Sequence, residues 1–74
     1  MKIYIVIQPD NKILGVKFTG ATALRAAQDH ENFWGWIEIW TLTWRGFVFA
    51  ESVEFEPFTG KPYEDELPKL GMAQ

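Results

Sequence analysis

Apolar and polar residues alternate with a period of two over four stretches of this chain, and with a helical period over one. Residues 2–8 (KIYIVIQ) and 13–19 (ILGVKFT) predict a first pair of strands joined by Pro9-Asp10-Asn11-Lys12. Proline presets φ there, and Asp and Asn tolerate a bend. Across a four-residue loop Ile7 would face Leu14, Ile5 would face Val16 and Ile3 would face Phe18. All six then share one side, with Tyr4, Val6, Gly15 and Lys17 on the other.

The second alternating pair spans Trp36 to Phe55, within a stretch that holds all four tryptophans. A two-residue turn at Arg45-Gly46 predicts the pairs Trp44–Phe47, Leu42–Phe49, Trp40–Glu51, Glu38–Val53 and Trp36–Phe55. These ten residues would share one face. Ile37, Ile39, Thr41, Thr43, Val48, Ala50, Ser52 and Glu54 would form the opposite face.

Between the two pairs, Ala21 to about Asp29 predicts a helix of two to three turns, capped by Thr19 or Thr22. Ala23, Leu24 and Ala27, with Ala26 or Gln28, would line its inner stripe. So short a helix is unstable alone in water and has to dock. After Glu56, prolines and glycines replace the alternation. Phe58, Tyr63, Leu67 and Leu70 are spaced as anchors, with a single helical turn expected at 63–67 and entered by Pro62. The last few residues are expected to be loose.

The order is ββαββ, which predicts an α+β fold with a four-stranded antiparallel sheet in the order 2-1-3-4 and one short helix on one face. Residues 1–56 form this domain, and residues 57–74 an acidic, Pro/Gly-rich tail on or beside the sheet. Two assignments of the faces compete. If the tryptophans lay under the helix, Glu38 and Glu51 would be drawn into the core, and burying unpaired carboxylates is expensive. The preferred assignment puts Ile37, Ile39, Val48 and Ala50 under the helix with Ile3, Ile5, Ile7, Leu14, Val16 and Phe18. Trp36, Trp40, Leu42, Trp44, Phe47, Phe49 and Phe55 then lie on the open face beside Tyr4 and Val6, with the tail able to fold over part of them.

Composition adds limits. A 74-residue chain without cysteine is one small domain that buries roughly 60% of its unfolded surface, and packing must supply its stability. The apolar run after Lys2 is broken by Gln8 and Pro9, too short for a signal core or a membrane span. A soluble protein of the cytoplasm, without membrane contact, is expected. Residues 1–50 carry five basic and four acidic groups, and residues 51–74 two and six. The acidic region is Glu54, Glu56, Glu64, Asp65 and Glu66. A phosphate-binding face needs clustered cations. Only Lys17 and Arg45 are expected near the aromatic face, so no direct nucleic-acid ligand is expected.

Catalytic chemistry finds little material. The one histidine, His30, and the one serine, Ser52, sit on different elements, and His30 reads as a solvated residue just past a helix. No metal-ligand spacing or cofactor motif is present, so no metal and no cofactor are expected. Glu38 and Glu51 would be diagonal neighbours among tryptophans, the pair a glycosidase uses, but a flat sheet offers no cleft.

The strand MKIYIVI, the helix TALRAAQ and the strand GWIEIW, in a chain closed by an aromatic hairpin and a tail, resemble small phage-encoded accessory proteins, including anti-CRISPR inhibitors. The resemblance implies a stoichiometric inhibitor of a larger host defence complex, acting in the host cytoplasm, with the acidic region standing in for nucleic-acid phosphate. The expected function is therefore non-enzymatic protein binding through Trp36, Trp40, Trp44, Arg45, Phe47, Phe49 and Glu51, with Trp40 and Trp44 at the centre. A sheet-mediated homodimer and a single-stranded nucleic-acid binder with stacked aromatics are the alternatives.

Overall fold

The computed structural model describes residues 1–72; the expectation of a loose end at residues 73–74 lies outside the described residues. The elements are β1 (Lys2–Ile7), β2 (Ile13–Lys17), α1 (Gly20–Gln28), β3 (Trp36–Thr43), β4 (Gly46–Glu54) and a 3-10 helix, η1 (Glu64–Leu70). The four strands form one antiparallel sheet in the order β2-β1-β3-β4. This is the α+β architecture that the alternation predicts and the strand order that a right-handed crossover from β2 to β3 predicts.

Local chemistry sets the ends of α1. Thr19 is the N-cap, and its hydroxyl accepts the Thr22 amide at 3.1 Å. Ala23 and Ala27 are fully buried, and Leu24 and Ala26 pack beside them, while Gln28 is exposed. The small side chains let α1 lie close on β1 and β2. Next to it, η1 packs on β4 and on α1, and carries Leu70 into the core. This helix is longer than the single turn expected. Gly71, at φ 77°, ends it. Of the expected tail anchors, Leu70 is buried and Leu67 half-buried, but Phe58 and Tyr63 are exposed.

The core consists of Val6, Ala23, Ala27, Phe33, Ile37, Ile39, Val53, Phe55 and Leu70. Ile37 and Ile39 face the helix, as the preferred assignment has it. Four expectations about the sheet, the last concerning Val16 in β2, need correction. First, β1 is the other way up. Val6 pairs with Ile37 and Tyr4 with Ile39, so Val6 and Tyr4 belong to the helix side. Ile3, Ile5 and Ile7 stand opposite Trp40, Glu38 and Trp36 on the open side. β1 is a central strand with apolar residues in both phases, so either side could have been the core.

Second, the β3–β4 register is shifted. Thr43 pairs with Gly46, which leaves Trp44 and Arg45 as the turn instead of Arg45-Gly46. Arg45 does not take a positive φ; Gly46 alone at this turn does, at 102°. A left-handed Arg would bring its Cβ against the backbone, so the glycine takes that position. The Thr43 hydroxyl closes the turn, accepting the Arg45 amide at 3.1 Å and donating to the Gly46 carbonyl at 2.9 Å.

Third, Ala50 is an extra residue in β4: Trp40 pairs with Phe49, but Ile39 pairs with Glu51. A bulge of this kind reverses the alternation beyond it. Val53 and Phe55 are thereby delivered to the core, where the Phe55 ring meets Phe33 edge-on at 4.9 Å. Ser52 and Glu54 turn to the open side. Val48 lies on the helix side but is exposed, as is Ala50, because the hairpin extends past the helical layer. A smaller irregularity at Leu14 separates the pair Val6–Gly15 from Ile7–Ile13. It sends Leu14 to the helix side while Val16 stays opposite Ile5, on the open side.

The tail does not cover Trp36 or Trp40 of the open face; its Phe58 ring rests on Trp34, ahead of β3, with ring centres 4.8 Å apart. It follows the outer edge of β4, where the Tyr63 amide donates to the Glu54 carbonyl at 3.2 Å and the Glu54 amide to Glu66 Oε1 at 3.1 Å. Lys69 Nζ donates to the Ser52 carbonyl at 3.0 Å. These contacts occupy part of an edge strand that would otherwise be open to pairing. The molecule measures 37 × 28 × 16 Å, a slab with room for one sheet and one helical layer.

Candidate functional site: an open aromatic sheet face

The side of the sheet away from α1 carries Ile3, Ile5 and Ile7 from β1, and Ile13 and Val16 from β2. β3 adds Trp36, Glu38, Trp40 and Leu42, and β4 adds Phe47, Phe49, Ser52 and Glu54. Its outer half is well exposed: Val16, Leu42, Phe47 and Phe49 each keep between 43% and 48% of their surface in contact with solvent. Trp40 meets Phe49 edge-on, with ring centres 5.6 Å apart. The described residues form no pocket, so the site is a surface.

At its centre is a carboxylate held by two indoles. Trp36, Glu38 and Trp40 alternate along β3 and so project side by side. Trp36 Nε1 donates to Glu38 Oε2 at 3.0 Å, and Trp40 Nε1 donates to Glu38 Oε1 at 3.1 Å. All three side chains are half-buried. An indole N–H in apolar surroundings needs an acceptor, and a half-buried carboxylate needs donors. The spacing satisfies both and fixes the two rings.

The structure divides the residues expected at the site. Trp36, Trp40, Phe47 and Phe49 come together on the open face. Trp44 and Arg45 are in the turn, not on the face: Trp44 is 87% exposed and the Arg45 guanidinium lies 4.7 Å from the centre of its ring. Glu51 is turned by the bulge to the helix side, opposite Ile39. Glu38 and Glu51 are therefore on opposite faces, and the diagonal carboxylate pair does not exist. Lys17 pairs with Tyr4 on the helix side, away from the aromatics. Ile3, Ile5, Ile7 and Val16 join the face against expectation. The Trp-Ile-Glu-Ile-Trp spacing was the signal that Glu38 is its polar centre.

The acidic residues form no single surface with the aromatics. Glu54 is at the rim, where its carboxylate accepts the Ser52 hydroxyl at 3.4 Å. Glu66 is occupied in an ion pair with Lys69 at 2.5 Å. Burial pushes the Glu66 carboxyl up. The hydrogen bonds from Lys69 and from the Glu54 amide, with the Lys69 charge, outweigh it and hold the group below its ordinary range. The hydrogen bond to Glu66 holds Lys69 above its ordinary range against partial burial, helped by the charges of Glu66, Glu51 and Asp65. His30 lies on the far loop, where its ring contacts the Gln8 side chain and meets Phe33 edge-on.

Among the described residues no group of His, Cys, Asp and Glu could hold a metal ion, and no helix is long and apolar enough to cross a membrane. No protein-family model, no curated protein and no solved structure matches this chain. The fold and the face together define a two-layer α+β domain with one sheet face uncovered.

Proposed function

We propose that this chain is a non-enzymatic protein-interaction module that acts by stoichiometric binding through the open sheet face. The observation that carries the reading is the mainly apolar side of the sheet, from Val16 and Ile5 past Ile3 and Trp40 to Phe49, with Glu38 at its centre and the tail along the β4 edge. A monomer rarely exposes a contiguous apolar patch larger than a few hundred Å² unless it serves for binding. The centre of the surface is Trp36, Glu38 and Trp40, two fixed aromatic rings of the kind in which interface energy concentrates. The resemblance to small phage-encoded inhibitors makes a larger host protein complex the partner to look for. The nucleic-acid reading has less support, because Lys2 and Lys17 fall on the helix side of the sheet.

The test is capture by immobilised protein against its Trp40→Ala variant, with folding followed by circular dichroism. A stoichiometric partner retained by the wild type and lost by a folded variant supports the reading. Capture that is unchanged in the variant, or turnover of a substrate by the pure protein, overturns it.

A further inference from the structure

The geometry points to a partner that presents an arginine from an apolar surface, with its guanidinium seated on the Glu38 carboxylate between Trp36 and Trp40. This rests on the open face being the binding surface. The first support is the charge pattern. On the open side of the strands the charged residues are Glu38 and Glu54, whereas the strand cations Lys2 and Lys17 lie on the helix side. Among the described residues, two other cations lie beside the sheet: Arg45, in the turn against Trp44, and Lys69, at the outer edge of β4, where Glu66 already pairs with it. The uncovered side is thus apolar with negative charge alone. Burial of Glu38 under a partner without a cation would leave a carboxylate charge uncompensated, which is strongly unfavourable.

The second support is the hydrogen-bond pattern. A carboxylate offers about four acceptor positions, two on each oxygen. The indoles take one on each: Trp36 on Oε2 and Trp40 on Oε1. One position per oxygen is left, which matches the two parallel N–H donors of a guanidinium. A planar guanidinium fills both positions at once, which a compact ammonium matches less well. A second copy of this chain fits worse. Face to face, it would bring further carboxylates and no strand cation to the same surface.

The experiment is selection from a displayed library of random 12-residue peptides on wild-type protein and on the Glu38→Gln variant. Glutamine keeps the shape and one carbonyl acceptor but removes the charge. Binders are kept if Trp40→Ala abolishes them, and the tightest is remade with citrulline for arginine. The expected result is arginine enrichment on the wild type that disappears on Glu38→Gln. Glu38→Gln and the citrulline exchange should each weaken the selected peptide at least about tenfold, with no further loss when combined. Binders that depend on Trp40 but show no arginine enrichment overturn the inference and leave the binding face standing. Absence of any Trp40-dependent binder in the selection, with no self-association, overturns the binding face itself. Concentration-dependent self-association abolished by Trp40→Ala makes the occupant a second copy and overturns the arginine partner.

Discussion

Trp40 Nε1 donates to Glu38 Oε1 at 3.1 Å, two residues along the same strand. The bond holds the Trp40 indole in one orientation beside the polar centre of the open face. Rigid aromatic anchors lose little entropy on binding, and a carboxylate already holding two donors has less water to shed.

The two sides of β3 should respond differently to truncation. Trp36→Ala and Trp40→Ala are expected to stay folded by circular dichroism and to lose roughly 2–4 kcal/mol of partner binding. Ile37→Ala and Ile39→Ala each empty a fully buried site and should cost roughly 2–5 kcal/mol of folding stability. Urea denaturation of the four variants checks this, and the opposite ranking would mean the sheet is the other way up.

Deletion of Ala50 should unfold the domain. It removes the extra residue of β4 and would turn Val53 and Phe55 out of the core while turning Ser52 and Glu54 in. Ala50→Ser at the same exposed position keeps the count and should change stability by less than about 0.5 kcal/mol. Near-ultraviolet circular dichroism separates the two outcomes, and a folded deletion variant would remove the role assigned to the bulge.

Two glycines are required by close approach of backbones. A Cβ at Gly35 would lie 1.9 Å from the Ile7 carbonyl oxygen, and a Cβ at Gly20 2.1 Å from that of Leu70. Backbone atoms cannot rotate away as a side-chain tip can. Gly35→Ala and Gly20→Ala should each destabilise by at least roughly 1–3 kcal/mol. Gly20→Ala should also loosen η1, seen as faster amide exchange at Gly71 and Met72.

The Glu66–Lys69 lock makes the attachment of η1 depend on pH at both extremes. The Glu66 carboxyl is lower in the folded state, so its contribution is complete above the ordinary value of 4.5 and is lost as pH falls through the folded value. Lys69 is raised, so its contribution is complete below the ordinary value of 10.5 and is lost as pH rises through the folded value. Glu66→Gln should reduce the acid dependence of η1 exchange protection, with little change near neutral pH in the protection of β1 and β3.

Local sequence chemistry by itself determined the elements and their order. Thr19 caps α1, Pro9 to Lys12 turn the first hairpin, and strict alternation marks β3. A right-handed crossover through α1, from β2 to β3 past β1, then leads to the sheet order 2-1-3-4. The Trp-Ile-Glu-Ile-Trp spacing likewise determined that the two indoles and Glu38 share a side, since a period of two admits no other arrangement within one strand. The side on which β1 puts its isoleucines was decided only by the tertiary structure. Ile3, Tyr4, Ile5, Val6 and Ile7 are apolar in both phases, so periodicity is silent and the pairing with β3 settles it. The place of Glu51, Val53 and Phe55 was also beyond the local pattern, because the extra residue at Ala50 reverses everything after it. A bulge is a property of two strands and a core together: it forms where one added residue puts Val53 and Phe55 among buried neighbours and leaves Ser52 and Glu54 to water.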